Sequence, residues 1–228
     1  MKHKVVGIVG GMGPAATVEF FARLVRATPA MRDEDHLRIL IDDDPGIPSR
    51  TEALLRGGPS PAPRLCAIAR GLERAGAEIL AMPCNTAHAF LEPMRAAVEI
   101  PVLDMLAETA ARVEVDRVGL LATEAAVRAG LYSKAFVPRG IAVVAPSPED
   151  QAEVTRLIAA VKAGEPAGAL RPRLRRVVAG LKAQGARAAI IGCTEISLLH
   201  DPESPLPAID ALDCLVDATV RAALGEER

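Results

Sequence analysis

The chain has 228 residues, half of them apolar and a quarter charged, with 27 basic and 29 acidic side chains and a net charge of −2. That length suits one large α/β domain or two small ones, and the charge balance excludes a disordered chain and a polyanion binder. With no Trp, one Tyr and four Phe, the sequence offers no stacking platform for nucleic acid and no aromatic belt for a membrane, so the expected partner is a small soluble molecule.

From the N-terminus, Lys2, His3 and Lys4 precede an apolar stretch that is glycine-rich, lacks a cleavage site and runs directly into a strand–turn–helix pattern, unlike a signal peptide. No apolar run reaches the roughly 20 residues that a spanning helix needs. The four cysteines, Cys66, Cys84, Cys193 and Cys214, form no CxxC pair, so neither a zinc ribbon nor a redox dithiol is expected. A reducing, cytoplasmic setting follows.

Short aliphatic runs alternate with longer alanine- and arginine-rich helical patterns, the signature of parallel strands joined by crossover helices. Strands are predicted at Lys4–Val9, Arg38–Asp42, Glu78–Met82, Val102–Leu103, Arg117–Ala122, Ile141–Val144, Ala188–Ile191 and Ala208–Ile209, with helices between them. The fold class is α/β.

Landmarks recur in order along the chain. VVGIVGG answers to RVGLLAT, AEILAMPCNTAH to RAAIIGCTEISLL, and IPVLDM to LPAIDAL. Cys84 lies 77 residues after Gly7 and Cys193 lies 74 after Gly119, and each cysteine is followed by a Pro–x–x–Asp, Pro101 to Asp104 and Pro207 to Asp210. Two similar Rossmann-like lobes with parallel sheets are therefore expected, related by a pseudo-twofold axis with the active site in the cleft between them. Residues 1–110 form the first lobe and 111–210 the second, with a junction near Leu106–Asp116. A final helix, Cys214–Leu224 within 211–228, packs back on the first lobe.

Cys84 and Cys193 each follow a buried-type strand and precede a polar pair that can open a helix, Asn85–Thr86 and Thr194–Glu195. Their environments are expected to be alike. Helix N-terminal N–H groups lower a thiol's pKa and raise its thiolate fraction. One thiolate can then remove a proton from a carbon while the other thiol delivers one to the opposite face, which is racemisation. Cys66 and Cys214 lie within helical patterns and read as small core residues. His88, four residues after Cys84, is placed to orient or tune the thiol, or to serve structure alone. Glu195 is placed to bind a substrate ammonium, or to act as a favourable acid in a helix's first turn.

GGMGP followed by AT in Gly10–Thr17, IPSRT at Ile47–Thr51, MPCNTAH at Met82–His88, LLAT at Leu120–Thr123 and GCTEIS at Gly192–Ser197 resemble the aspartate/glutamate racemase superfamily, in its aspartate racemase branch, over essentially the whole chain. The resemblance implies a cofactor-independent, two-base amino-acid racemase, a homodimer, with Cys84 and Cys193 as the catalytic acid/base pair. It implies that Asn85, Thr86, Thr123 and Thr194 donate hydrogen bonds to the substrate carboxylate and amino group, where such donors stabilise the charge built up by α-proton removal. Met12, in the glycine turn, and Glu195 join the substrate-binding set. Arg50 corresponds to the side-chain recognition arginine, whose fork suits a distal carboxylate, and Lys162 to a lysine that assists it.

Three departures bear on the substrate. Asp42–Asp43–Asp44–Pro45 replaces the usual Asn before the proline, and is expected to neutralise Arg50 and repel a second substrate carboxylate. Ser49 stands where an Asp is usual beside the arginine. Thr123–Glu124–Ala125–Ala126 loses a glycine and two hydroxyls, and Glu124 is expected to favour a different or cationic substrate.

Rival readings are weaker. Gly11–Met12–Gly13–Pro14–Ala15–Ala16 formally satisfies the dinucleotide fingerprint, but Pro14 removes an N–H that a pyrophosphate would want. The same turn can instead bring backbone N–H groups to a substrate carboxylate. Of the five lysines, Lys2, Lys4, Lys134, Lys162 and Lys182, none sits at a strand-end Schiff-base position, which argues against pyridoxal phosphate. A cis–trans isomerase such as maleate isomerase, or a non-catalytic amino-acid-binding protein of the same fold, are the alternatives.

Overall fold

A computed structural model describes residues 3–199 and 201–226; Lys2 and the outermost residues of the expected first lobe lie outside this range. The chain forms two compact units, Met1–Met105 with Leu212–Arg228, and Leu106–Ala211.

The first unit is built on β1 (Val6–Gly10), β2 (Ile39–Asp43) and β3 (Ile79–Ala81), ordered β2-β1-β3 and all parallel. Helices α1 (Pro14–Ala27), α2 (Arg50–Arg56), α3 (Ala62–Arg74) and α4 (Leu91–Arg95) connect and follow them, and α5 (Met105–Ala111) carries the chain into the second unit. There β4 (Arg117–Ala122), β5 (Ala142–Val144), β6 (Ala188–Gly192) and β7 (Ala208–Asp210) form a parallel sheet in the order β5-β4-β6-β7. Its helices are α6 (Glu124–Arg128), α7 (Leu131–Phe136), α8 (Pro148–Lys162), α9 (Ala167–Ala183) and α10 (Thr194–Ser197). The last helix, α11 (Ala211–Leu224), returns to the first unit: the Lys4 N–H donates to the Ala223 carbonyl at 2.9 Å, and Arg23 pairs with Asp213 at 2.7 Å.

β1 and β6 are buried throughout, as expected of strands covered on both faces by crossover helices. Each unit has its own core, one drawing Leu65, Ile68, Leu72 and Leu80 around Cys84, the other Leu174, Val178, Leu181 and Ile191 around Cys193. The repeat extends to close packing. A Cβ on Gly7 would lie 3.3 Å from Leu72, and one on Gly119 would lie 2.9 Å from Leu181; both leucines stand twelve residues before a cysteine. These glycines let strand and helix approach where any side chain would push them apart.

The predicted strands are present, Arg117–Ala122 with the same ends and the others with shifted ends, except at Val102–Leu103. There the chain makes a single bridge, Leu80 to Val102, before entering α5. The hydrogen bonding still matches its counterpart: Leu80 donates to the Pro101 carbonyl at 2.9 Å, and Ala189 donates to that of Pro207 at 2.8 Å.

Candidate active site

The first unit gathers Met12, Arg50, Cys84, Asn85 and Thr86, and the second gathers Thr123, Lys162, Cys193, Thr194 and Glu195. In the first, β1 ends in the glycine turn. Gly11 has φ +88° and a Cβ there would collide with the Asp44 backbone, so the glycine is demanded by close approach of the β2 loop. Its N–H donates to the Thr17 hydroxyl at 3.0 Å. The Gly11 N–H is thereby occupied within the turn, out of reach of a substrate and of a dinucleotide phosphate alike.

Ser49, one of the departures from the family pattern, has a local structural task that an Asp could also perform. Its hydroxyl accepts from the Glu52 N–H at 3.3 Å as the N-cap of α2, fixing the start of the helix whose first residue is Arg50. The Arg50 guanidinium donates to the carbonyls of Ile47 at 3.3 Å, Pro48 at 3.2 Å and Met12 at 3.4 Å. No carboxylate among the described residues pairs with it. The expected neutralisation by the acidic run is therefore corrected: Asp44 is taken by Arg64 at 2.5 Å and by the Gly46 N–H at 2.8 Å, and the Arg64 guanidinium holds its carboxyl below the ordinary range. Arg50 keeps a fixed position and an uncompensated charge.

Cys84, Asn85 and Thr86 are buried where β3 ends. The segment that follows is a 3-10 turn, Thr86–Phe90, and the one after Cys193 is the four-residue α10. Both are shorter than the helices expected, so the macrodipole at each thiol is confined to about one turn. His88 acts on the backbone. Its Nδ1 lies 2.9 Å from the Cys84 carbonyl and the Met105 N–H donates to its Nε2 at 3.0 Å. Since Nε2 accepts, the neutral ring carries its proton on Nδ1 and donates it to Cys84. Burial lowers the imidazole pKa, against smaller opposing effects from the Cys84 carbonyl and Asp104.

In the second unit Cys193 is the N-cap residue of α10, and its Sγ donates to Glu195 Oε2 at 3.0 Å. Lys162, the last residue of α8, brings its ammonium 3.5 Å from Glu195 Oε1. Sequence reasoning missed this thiol–carboxylate–ammonium chain: the i, i+2 spacing of Cys193 and Glu195 suggests a shared turn, but not which way either side chain points. At the equivalent position, two residues after Cys84, stands Thr86 in place of a carboxylate. Thr123 caps α6, its hydroxyl accepting from the Ala126 N–H at 3.1 Å. Glu124 pairs with Arg128 on the exposed face at 3.3 Å.

Two buried thiols, each just after a parallel strand and followed by polar side chains, define a cysteine-based α/β protein. The sequence matches the Asp/Glu/Hydantoin racemase family over residues 9–219, and the chain belongs to that family, a family of isomerases. It is 28% identical to the broad specificity amino-acid racemase RacX of Bacillus subtilis, across 96% of this chain and 98% of that protein. Among solved structures, the aspartate racemase of Picrophilus torridus is 32% identical with a TM-score of 0.87, covering 98% of this chain and 95% of that one. A glutamate racemase from Francisella tularensis, 16% identical with a TM-score of 0.69 over 96% of this chain and 80% of its own, shares the fold.

Proposed function

We propose that this protein is a cofactor-independent amino-acid racemase in which Cys84 and Cys193 are the two acid–base groups and aspartate is the first candidate substrate. The observation that carries the reading is the Cys193–Glu195–Lys162 chain, with a carboxylate 3.0 Å from the thiol to receive its proton and an ammonium 3.5 Å behind that carboxylate. A thiol so placed has a local route to thiolate, the form that can attack a proton on carbon.

In the reaction, one thiolate takes the α-proton. The C–H electron pair stays on the substrate and spreads into its carboxylate, and the other thiol returns a proton to the opposite face. No oxidant or reductant enters. Asn85, Thr86, Thr123 and Thr194 are assigned as donors to the substrate's α-carboxylate and amino group, where the growing charge rewards them. Arg50 is assigned to a distal carboxylate. Its guanidinium is anchored by three carbonyls and paired with no acid among the described residues, which supports an acidic amino acid. The same reading makes the protein a cytoplasmic homodimer.

The test is α-proton exchange in deuterated buffer, followed by NMR for both enantiomers of aspartate, glutamate and a panel of neutral and basic amino acids. Exchange with inversion is expected for aspartate, and its loss in both Cys84→Ala and Cys193→Ala. Exchange confined to a basic or neutral amino acid would overturn the role of Arg50. No exchange across the panel would overturn racemisation in favour of isomerisation of another acid or of binding without turnover.

A further inference from the structure

The end of β4 is held differently from the end of β1, its counterpart in the repeat. β1 stays paired with β2 to its last residue, Gly10 opposite Asp43. β4 stays paired with β6 to its last residue, Ala122 opposite Gly192, but with β5 only as far as Gly119 opposite Val144. The Ala142 N–H donates to the Asp116 carbonyl at 2.8 Å, and the Arg187 N–H donates to the Arg117 carbonyl at 3.0 Å. Alternation along the strand therefore turns the Ala122 carbonyl toward the β5 side, where β5 has already ended. Continued at the same offset, the ladder would ask position 148 for the N–H, and Pro148 has none. Ala122 is fully buried, so its carbonyl needs a donor from elsewhere.

Gln151 supplies it. The residue lies in the first turn of α8, which Ser147 caps by accepting from the Asp150 N–H at 3.1 Å, and the Gln151 N–H closes that turn on the Ser147 carbonyl at 2.7 Å. From this fixed base the side chain donates through Nε2 to the Ala122 carbonyl at 3.0 Å, 29 residues away in sequence. A carbonyl only accepts, so the amide nitrogen and not its oxygen must face it. The oxygen, Oε1, is buried and has no hydrogen-bond partner among the described residues. The amide thus carries a desolvated acceptor that an alkyl chain would avoid, which marks the donor as what this position requires.

We infer that Gln151 is a positioning residue of the active site, holding the end of β4 so that Thr123, the next residue, is presented to substrate. The inference rests on the assignment of Thr123 as a substrate donor. The Ala122 carbonyl and the Thr123 nitrogen belong to one planar peptide unit, so a bond to that carbonyl fixes the plane from which Thr123 departs. Thr123 in turn is the N-cap of α6, its hydroxyl accepting from the Ala126 N–H at 3.1 Å and its carbonyl from the Val127 N–H at 3.1 Å. A strand end able to tilt would carry hydroxyl and cap with it. In the first unit the pairing of Gly10 with Asp43 holds the equivalent strand end.

A double-mutant cycle read by racemisation kinetics tests this. Gln151→Met keeps the length and removes the donor, exchanging one buried acceptor without a partner, Oε1, for another, the Ala122 carbonyl. Its Tm is expected to stay within about 4 °C of the unaltered protein, while kcat for aspartate falls about tenfold or more with little change in KM. An unchanged kcat, whatever the Tm, would overturn the proposal. In a Thr123→Val background, Gln151→Met is expected to lower kcat no further, because its effect passes through the missing hydroxyl; a second fall of about tenfold would overturn it equally. Amide exchange separates this inference from racemisation itself. If the unaltered protein exchanges no substrate α-proton, the racemase reading fails, yet protection of the Ala126 N–H should still drop about tenfold in Gln151→Met, and unchanged protection there would refute the positioning role. Should Gln151→Met not fold, the unaltered protein decides: one side-chain amide proton of Gln151 is expected to exchange slowly, and fast exchange of both would refute the bond to Ala122.

Discussion

The two units use the same position for different chemistry. Four residues after Cys84 stands His88, and four after Cys193 stands Ser197. Each ties the cysteine segment to the end of the next Pro–x–x–Asp. His88 does so by accepting the Met105 N–H at 3.0 Å, and Ser197 by donating to the Asp210 carboxylate at 2.8 Å. The mechanical task is common, but the neighbours of the thiols differ. Cys193 has a carboxylate two residues on, paired with an ammonium, and Cys84 has Thr86 there and a neutral imidazole on its own carbonyl. A repeat of topology thus preserves where a residue sits more faithfully than what it does. On the proposed two-thiol racemisation, substrate symmetry explains why that is tolerable. The two enantiomers are equal in free energy, yet the two proton transfers that join them need not be.

This asymmetry is most sharply tested at Glu195. Glu195→Gln keeps the shape and removes the carboxylate that accepts from Cys193, and is expected to lower kcat about 100-fold, the usual scale for a lost proton-transfer partner. Because enantiomers are isoenergetic, kcat/KM must fall equally in both directions, so the asymmetry is read from primary isotope effects with α-deuterated D- and L-substrate. The effect should rise for the enantiomer that Cys193 deprotonates and fall for the other. Equal effects in both directions would show the thiols to be equivalent after all.

The lobe-one counterpart is His88. Replacing it with Ala removes a donor to Cys84 and an acceptor for Met105, and should cost about 1–3 kcal/mol of stability, the range for disturbing buried hydrogen-bonded groups. Its pH dependence has a definite sign. Burial depresses the imidazole below its ordinary 6.5, so the folded protein binds fewer protons there than the unfolded chain. The contribution of the neutral ring is complete above about pH 6.5 and is lost as pH falls toward the folded value. Denaturant melts between pH 5 and 8 should show that slope, and His88→Asn should flatten it. In lobe two, Ser197→Ala removes one hydrogen bond and should cost about 1 kcal/mol, visible as a small drop in Tm with no change in the acid slope.

The α/β class, the repeat and its landmarks were all legible in the sequence because they rest on strand periodicity and on glycines and cysteines at matching intervals. Leu72 and Leu181, twelve residues before their cysteines, show how far that matching reaches into the core. What could not be read was side-chain direction. Asp44 looked like a neighbour of Arg50 because six residues separate them, but the loop turns its carboxylate to Arg64, twenty residues away. Lys162 and Glu195 are 33 apart in sequence and meet only because α8 ends beside α10. Spacing predicts which residues share a turn. It does not report which partner wins when several lie in reach.

The smallest expected effect separates those two kinds of inference. Glu124 occupies a turn that departs from the family pattern, and sequence alone makes it a specificity residue. Its side chain is 49% exposed and pairs at i, i+4 with Arg128, itself 65% exposed, in a geometry typically worth about 0.3–0.5 kcal/mol in solvent. Glu124→Ala should therefore change stability by less than about 0.5 kcal/mol and leave the ranking of amino acids in the exchange assay unaltered. A shift of preference toward acidic substrates in this variant would mean that Glu124 leaves Arg128 when substrate binds, and would restore to the turn the role that its exposed pairing argues against.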